Sequence, residues 1–553
     1  MDTYVASGST SEDIAEAKRK ECQEYVQHYE KLKSERWIWE AHWQDCFDFI
    51  VPRKNDVITT RPQGDKRNFD LFDTTAILSN QLLSGALHGM LTNPATKFFD
   101  LVMGDPRLDE DTSVKAWLQE VGDRMFTVLN NSNFQTEIHE IYIDMGAIGT
   151  SCLYIGEHPE KIVHFGARTM KEVFIDENNL GLIDTVYRLF KWKPRQVVQE
   201  FGEENLPPWV VEQYQKNCTD DWDILHCVHP TKDDGEKGKI FPYESKYILK
   251  DKNIYLSEGG FKEFPYAVPR WTKTTGEKYG RGPGMDMLPD IKMVNKMMET
   301  VIQGAQKTVN PPMMVTDDGV IGRVRLVPGG LTVVRAGEPP IRPLIVDARV
   351  DFGYQAVEDV RKRIRAGFYV DQFQMTQGPQ KTATEVMQMM EQNARLMGPV
   401  LGRQHFEFLA PVISRVFPIM ARRGLIPPAP QAIQGKKFNV RYSSLLARSQ
   451  RMNDGQNFAR ALSVATPLIQ IDPTSADVIN ADEGVRHIFD VYGTPANLMN
   501  DKRDIEARRK ARADAQAQAV KQQQEMHQAQ TVGTMAPGIA QMQNANTQSQ
   551  QGK

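Results

Sequence analysis

The chain has no excess of charge of either sign. Its 67 lysines and arginines stand against 71 aspartates and glutamates, a formal net charge of −4 over 553 residues. Because binding of a polyanion through bulk charge needs a strongly basic surface, that mode is excluded, and any contact with DNA must be local. At roughly 150 residues per domain, the length predicts several structural regions.

Cysteine is scarce and long apolar runs are absent. The five cysteines, at positions 22, 46, 152, 218 and 227, include no Cys-x-x-Cys pair. This pattern indicates a reducing compartment and free, buried thiols. No signal peptide precedes the charged opening Ser11–Glu30, and no apolar stretch approaches about twenty residues. We therefore expect a soluble chain, cytoplasmic at synthesis, with no membrane partner.

Enzyme signatures are poor. No Gly-x-x-x-x-Gly-Lys-[Ser/Thr] phosphate loop occurs, which excludes an ATPase of that class. The segment Gly280–Gly284 is rich in glycine but carries a proline where a phosphate cradle needs backbone N–H groups, so it is interpreted as a hinge opening a helix. The carboxylates show no nuclease-like constellation. We predict no catalytic residues and no cofactor.

The best candidate for a metal site is the sequence His226-Cys227-Val228-His229. On a strand, alternation places His226 and Val228 on one face and Cys227 and His229 on the other. No single face then offers two histidines, so we predict structural roles and no metal ligands.

The first part of the chain predicts helices followed by strands. Glu12–Phe49 is expected to be helical, with Trp39, Trp43, Phe47 and Ile50 on its core-facing side. An Asp-Thr-Thr cap opens a second helix over Asp73–Met90. Further predicted helices are Ser113–Leu129 and Asn133–Ile148, and predicted strands include Lys161–Phe165 and Thr185–Phe190. The expected class is α+β, predominantly helical.

The middle of the chain predicts a helix, a β-rich excursion and a returning helix. Pro289–Val309 carries an apolar stripe, and Asn310-Pro311-Pro312 stops it. Met313–Val350 is broken by glycines and prolines between β-branched runs, which predicts a strand-and-turn unit. Phe352–Phe373 then returns as a helix. The residues expected to pack the two helices together are Val294, Met298, Val301, Ile302, Val357 and Ile364.

The returning helix holds the densest basic cluster of the central region, Arg361-Lys362-Arg363-Ile364-Arg365. These cations are expected to pair with carboxylates such as Glu358 and Asp359, or with a neighbouring subunit. The alternative is contact with DNA, since a ring would repeat each charge around a central channel.

A turn at Gln377-Gly378-Pro379-Gln380 leads into Lys381-Thr382-Ala383-Thr384-Glu385-Val386 and a long helix. Thr382 or Thr384 can cap the helix N-terminus, and Glu385 adds a favourable charge to its first turn. Apolar residues then recur at helical spacing as far as Arg422. They are Val386, Met390, Met397, Leu401, Phe408, Val412 and Val416.

The last part of the chain predicts a strand at Lys437–Tyr442 and then helices. Asn453–Leu468 and Asp477–Tyr492 are amphipathic, and Thr494-Pro495 opens a further helix. A basic run at 508–512 continues into an Ala- and Gln-rich segment ending near Gln530, which has too little apolar surface for a buried face.

The Thr-Ala-Thr-Glu-Val segment and the helix that follows resemble the portal, or head-to-tail connector, proteins of short-tailed bacteriophages. Further matches in the same order extend the resemblance from about Lys18 to about Arg509. They are Arg36-Trp37-Ile38-Trp39 with Ile50-Val51-Pro52, Asp73-Thr74-Thr75-Ala76, Tyr142–Tyr154, Tyr279–Gly284 and Tyr442–Gln450.

The resemblance implies a subunit with wing, stem, clip and crown regions that assembles as a ring. It also implies that Gln377, Gly378 and Lys381 lie on a loop near the DNA channel, although from the residues alone this loop is equally a plain connector. The implied regions are an N-terminal α+β wing over 1–280, a first stem helix over 281–309, a β-rich clip over 310–351, a second stem helix over 352–373, the channel loop and long wing helix over 374–440, a helical crown over 441–530 and a disordered tail over 531–553.

As in its family, the chain would form a dodecameric ring at one vertex of the capsid in the virion, after assembly in the host cytoplasm. The ring would pass double-stranded DNA without sequence preference. Implied partners are the terminase, the major capsid and scaffolding proteins, and tail adaptor proteins. The alternatives are a nuclease or recombinase, and a tail or coat structural protein without a channel.

Overall fold

The computed structural model describes residues 11–62, 64–68, 70–109, 111–231, 241–314, 320–321, 333–334, 337, 342–343, 350–373, 396–436, 438–442, 445–471, 478–491, 499, 504–524 and 526. The chain separates into two compact units. The first contains Met1–Leu101, Glu120–Pro428 and Asn439–Arg451, and the second contains Val102–Gln119, Ala429–Phe438 and Met452–Lys553.

Helices dominate the described residues, and the predicted α+β, predominantly helical class is confirmed. The α-helices are α1 (Ser11–Ile50), α2 (Thr75–Leu91), α3 (Pro106–Asp109), α4 (Thr112–Asn131), α5 (Phe134–Ile148), α6 (Pro194–Phe201), α7 (Pro208–Gln215), α8 (Pro283–Val309), α9 (Val350–Gly367), α10 (Val370–Phe373), α11 (Gly398–Gln404), α12 (Ala410–Arg422), α13 (Leu445–Ile471) and α14 (Ala481–Val491).

The strands form small sheets. Their bounds are β1 (Phe99–Val102), β2 (Cys152–His158), β3 (Ile162–Arg168), β4 (Val173–Glu177), β5 (Ile183–Trp192), β6 (Trp222–Pro230), β7 (Tyr243–Leu249), β8 (Ile254–Phe261), β9 (Tyr266–Ala267), β10 (Met313–Met314), β11 (Val320–Ile321), β12 (Val333–Val334), β13 (Arg342–Pro343) and β14 (Asn439–Tyr442). The largest is a five-stranded antiparallel sheet in the order β4-β5-β6-β7-β8, beside a three-stranded sheet β3-β2-β9.

The five-stranded sheet is covered on both faces. On one face, Cys22, Tyr29 and Leu32 of α1 pack on Phe174, Tyr187, Leu225, Cys227 and Ile248. On the other, Val197 of α6 and Val210 of α7 pack on Phe190, Ile224 and Leu249. Because successive residues of a strand point to opposite faces, β5, β6 and β7 each supply both clusters. Burial of these side chains stabilises the fold by about 1.5–3 kcal/mol for each large apolar one.

The long helix α1 follows its predicted pattern. Trp43, Phe47 and Ile50 are buried, and Trp39 and Trp43 pack against Tyr279. Arg36 is also buried and donates hydrogen bonds to the carbonyl oxygens of the turn before β4, at 2.7 Å for Met170. The four residues of α1 that were predicted to face the core therefore serve core packing, as expected.

The returning helix is shorter than predicted. The expected span Phe352–Phe373 is divided into α9 and α10, because the backbone at Tyr369 takes a left-handed conformation with φ of 60°. The break places both Phe368 and Val370 in the core. Helical periodicity places 368 and 370 about 200° apart, so one continuous helix would turn them to opposite sides.

The excursion between α8 and α9 contains two short antiparallel pairs in its described residues. Met313–Met314 pairs with Arg342–Pro343, and Val320–Ile321 pairs with Val333–Val334. The prediction of a strand-and-turn unit in this part of the chain is confirmed for these residues.

The long helix expected before Arg422 is present from Gly398 onward, and its predicted apolar positions from Met397 to Val416 are buried. It includes a π-helical turn, His405–Leu409, between α11 and α12 that periodicity did not predict. Residues Val386 and Met390 lie outside the described residues.

The second unit contains a helical hairpin. Gly455 of α13 lies against Val491, and Gly484 of α14 lies against Phe458, so the two helices run antiparallel at close range. Val464 and Leu468 are exposed on α13. Arg509, in the helical residues 504–524, forms an ion pair with Asp482 at 2.6 Å.

The glycine-rich hinge before α8 crosses the end of α5 at backbone contact. A β-carbon at Gly282 would lie 2.7 Å from the Gly149 nitrogen and from the Met145 carbonyl oxygen. Gly149 itself has a φ of 73°. The glycines of this segment thus permit two backbone segments to touch, and its role as a hinge stays a prediction.

We predict that Gly282→Ala destabilises the first unit by roughly 1–3 kcal/mol, because the added methyl group overpacks this crossing. The matched control is Gly259→Ala, where an added β-carbon meets no atom within 4 Å. Urea unfolding followed by circular dichroism measures both. Equal midpoints for the two variants would show that the crossing tolerates a side chain.

Candidate functional site

The helices α8 and α9 form an antiparallel pair with a definite register. Met287 lies against Gly367, and Val301 lies against Gly353. Between these contacts Arg363 reaches Asp290 at 3.6 Å. Along the pair, the residue number rises on α8 as it falls by nearly the same amount on α9. This is the pattern expected of antiparallel helices in continuous contact.

The predicted packing residues divide into an inner and an outer group. Val294, Val357 and Ile364 are buried, whereas Met298, Val301 and Ile302 are half-buried in the single chain. Toward the open end of the pair, Val309 is 87% exposed and Phe352 is 72% exposed. Apolar surface of this kind marks a site that another protein surface covers.

The basic cluster of α9 is paired within the chain. Arg365 contacts Glu358 at 3.2 Å and Lys362 contacts Asp359 at 3.4 Å. Arg361 contacts Glu358 at 3.5 Å, and Arg363 contacts Asp290. The predicted pairing with Glu358 and Asp359 is confirmed, while contact of these cations with DNA stays a prediction.

Arg361 has a second and deeper partner. Its guanidinium contacts the carboxylate of Asp73 at 2.7 Å, and only 2% of the Asp73 side chain is exposed. The other oxygen of that carboxylate accepts the Thr75 N–H at 2.9 Å, at the start of α2. Burial raises the pKa of Asp73, but hydrogen bonds from Thr75 and Arg361 outweigh it and hold the pKa below its usual value. The paired, ionised form is therefore the stable one.

Helix α8 contacts the same loop from the other side. The Asn295 side-chain oxygen accepts the backbone N–H of Phe72 at 2.8 Å, and its amide group donates to the Asp70 carbonyl oxygen at 2.8 Å. Both helices of the pair are thus tied to the residues that open α2.

The predicted channel loop lies outside the described residues. Gln377, Gly378 and Lys381 fall in the stretch 374–395, which separates α10 from the described start of the next helix at 396. Their proximity to DNA stays a prediction.

The two histidines of β6 have structural partners, as predicted. His226 is buried, stacks on Tyr247 with 3.9 Å between ring centroids, and contacts the hydroxyl groups of Ser245 and Tyr266. Burial, with a smaller effect of Arg188 and Arg168, lowers the pKa of His226 to about 3. His229 points to the opposite face and contacts the Tyr25 hydroxyl at 3.0 Å. The alternation predicted for this strand is confirmed.

Neither a metal-binding cluster nor a membrane-spanning helix is found in the described residues. Within those ranges, no group of three or more His, Cys, Asp or Glu side chains is arranged to hold a metal ion. The same part of the chain contains no helix with the length and apolar character needed to cross a membrane.

A buried ion cluster at Arg270 was not predicted from the sequence. Arg270 is 1% exposed and contacts Glu407 at 2.9 Å, and it also pairs with Glu177. These residues are far apart in sequence, and no periodic pattern connects them. The available signal was the acidic Glu407 between the apolar residues Phe406 and Phe408.

The exposed apolar end of the α8–α9 pair is typical of a protein that is one subunit of a larger assembly. A family model described as bacteriophage head to tail connecting protein matches residues 22–499. The chain is 31% identical over 503 residues to the "Probable portal protein" of Bordetella phage BPP-1, covering 88% of this chain and 90% of that protein. It is 29% identical over 534 residues to the "Portal protein" of Salmonella phage epsilon15, covering 94% of each.

The chain belongs to the family of bacteriophage head-to-tail connecting proteins. The identification as a portal protein made from its motifs is confirmed, and with it the portal function. As a connector, the chain is a structural component of the virion and has capsid and tail partners.

We predict that Arg361→Gln lowers the free energy of unfolding by about 2 kcal/mol, because it removes charged hydrogen bonds from the buried Asp73 carboxylate. The matched control is Lys362→Gln, which breaks an exposed pair and should cost less than about 0.5 kcal/mol. Chemical unfolding at pH 7 measures both. In the wild-type protein, the Arg361–Asp73 pair should stabilise the fold fully above the ordinary carboxyl pKa of about 3.9. This stabilisation should be lost as the pH falls through the lowered pKa of Asp73 in the folded protein. An equal loss of unfolding free energy in the two variants would contradict a stabilising role for the Arg361–Asp73 pair.

Proposed function

We propose that the chain is one subunit of a dodecameric ring whose central channel passes double-stranded DNA during packaging and ejection. The observation that carries the proposal is the α8–α9 pair, whose inner end is fixed to the residues that open α2 and whose outer end exposes apolar side chains. A ring covers such surfaces, because each subunit packs its outer end on the next copy.

If the α8–α9 pair lines the channel, the basic cluster of α9 can make only weak contacts with DNA. Arg361, Lys362, Arg363 and Arg365 each contact a carboxylate of the same chain. A phosphate group has to compete with those carboxylates, so each contact with DNA is weak. A ring that repeats weak contacts screens the phosphate charge without holding the DNA at one sequence.

The family resemblance supports the assignment of regions and partners. The first unit supplies the wing and the stem helices, the excursion between α8 and α9 is the clip, and the helices from 453 onward form the crown, facing the capsid interior. The terminase docks at the clip during packaging, and tail adaptor proteins follow it. Scaffolding and major capsid proteins surround the ring when it forms in the host cytoplasm.

No enzymatic step is assigned to the chain, and a separate motor supplies the energy for packaging. A nuclease or recombinase would need a metal-binding carboxylate cluster, and within the described residues no such group is found. A tail or coat protein without a channel is distinguished by its assembly, since it would not close into a ring with a central hole.

We predict that Val301→Asp abolishes ring assembly, because it places an unpaired charge in the contact between α8 and Gly353 of α9. Val301→Ala is the control: it removes two methyl groups, adds no charge and should still assemble. Size-exclusion chromatography with light scattering measures the mass of each. A ring of normal mass from the aspartate variant would mean that this side chain faces water in the assembly.

We predict that deletion of residues 374–380 leaves assembly intact but impairs packaging or lets DNA leak from filled heads. The expected defect follows from the loop placement near the channel that the family resemblance implies. Electron microscopy of the rings and a nuclease-protection assay of packaged DNA measure the two properties. Normal DNA retention in the deletion variant would leave the segment as a plain connector.

A further inference from the structure

Two consecutive residues, Arg270 and Trp271, contact both flanks of the stretch 374–395. They lie between β9 and the glycine hinge that opens α8. Arg270 contacts the helix that follows this stretch, and Trp271 contacts the turn that precedes it. One short segment of backbone thus reaches both flanks.

Arg270 binds the helix that follows this stretch through both its guanidinium group and its backbone. Its Nη2 and Nε atoms donate to the two oxygens of Glu407 at 2.9 and 3.0 Å, and its backbone N–H donates to Glu407 at 3.1 Å. Its carbonyl oxygen accepts the side-chain amide of Gln404 at 2.8 Å. A planar guanidinium that meets a carboxylate through two hydrogen bonds fixes orientation as well as distance.

The remaining donors of Arg270 attach it to the rest of the first unit. Nη1 pairs with Glu177 at the end of β4 and donates to the Lys278 carbonyl oxygen at 3.1 Å, while Nη2 donates to the Gly181 carbonyl oxygen at 3.0 Å. The Arg270 side chain therefore joins the sheet, the hinge and the helix. A buried cation needs this full set of partners, because an unpaired charge in the interior is strongly unfavourable.

Glu407 occupies the π-helical turn His405–Leu409. Such a turn inserts one residue into the helical register and is frequent at functional sites. Only 8% of the Glu407 side chain is exposed, and Arg403, one turn earlier, also contacts it at 2.8 Å. The irregular turn coincides with the residue that joins this helix to Arg270.

Trp271 holds the preceding flank. Its ring centroid lies 6.1 Å from that of Tyr369, and its backbone N–H donates to the Gly149 carbonyl oxygen at 2.9 Å. Tyr369 is the residue whose left-handed backbone separates α9 from α10. A tyrosine in that conformation is held there by its surroundings, and strain of this kind gathers at functional positions.

We infer that Arg270 and Trp271 are positioning residues that fix both flanks of residues 374–395 to the hinge of α8. Because the same backbone segment holds both flanks, their separation is set by one rigid part of the fold. The consequence for DNA passage, that this anchor determines where the intervening stretch stands in the channel, rests on the proposed function. The anchor itself does not.

The test is hydrogen–deuterium exchange of the full-length protein carrying Glu407→Gln or Tyr369→Gly. Glutamine keeps the shape of Glu407 but replaces one accepting oxygen with an amide group that cannot accept. Glycine allows the left-handed backbone without strain and removes the whole side chain, including the ring that meets Trp271. Each variant should raise the exchange rate of peptides from its own described flank about tenfold, 366–373 for Tyr369→Gly and 396–409 for Glu407→Gln, with the five-stranded sheet unchanged.

The matched control is Glu263→Gln. Glu263 pairs with the buried Arg415 at 2.6 Å and with Arg422 at 2.9 Å, and so anchors α12 away from Arg270. Exchange over 366–373 and 396–409 should stay at the wild-type rate in this variant. Unchanged exchange in both test variants, or an equal rise in the control, would overturn the inference. The outcome does not depend on DNA, so failure of the anchor is distinguishable from failure of the channel assignment.

Discussion

The buried charge of Arg270 is the constraint on which the arrangement of the first unit depends. A guanidinium that is removed from water must find hydrogen-bond acceptors for its donors, and here they come from a strand end, a turn, the hinge and a helix. Glu177 and Gly181, Lys278, and Glu407 come from three separate parts of the sequence. Satisfying one side chain therefore fixes their relative positions, and the glycine crossing beside it lets the backbones come close enough to do so.

The α8–α9 pair continues from this junction and is fixed in a second way by polar contacts. Asn295 from one helix and Arg361 from the other hold the residues that open α2, so the inner end of the pair is fixed in rotation as well as position. Toward the outer end burial declines and apolar side chains become exposed. A helix pair that is fixed at its inner end and exposes apolar side chains at its outer end suits a subunit that packs against neighbouring subunits.

The sequence predicted the elements whose pattern is local. Helices α1, α2, α4 and α5 follow from apolar spacing and from the Asp73 cap, and the alternation of β6 follows from the types of its four central residues. The break at Tyr369 was missed because Phe368 and Val370 are both apolar and fit a continuous helix in sequence. The Arg270–Glu407 pair was missed because 137 residues separate its members. Contacts of that range depend on the complete fold and leave no periodic signal in the sequence.

The central claim is that the exposed outer end of the α8–α9 pair closes a ring around a channel. The most direct measurement is electron microscopy of the purified full-length protein, with class averages of end-on views. The account predicts closed rings of twelve-fold symmetry with a central hole wide enough for a DNA duplex, roughly 20 Å across. Monomers, open filaments or closed particles without a hole would contradict it.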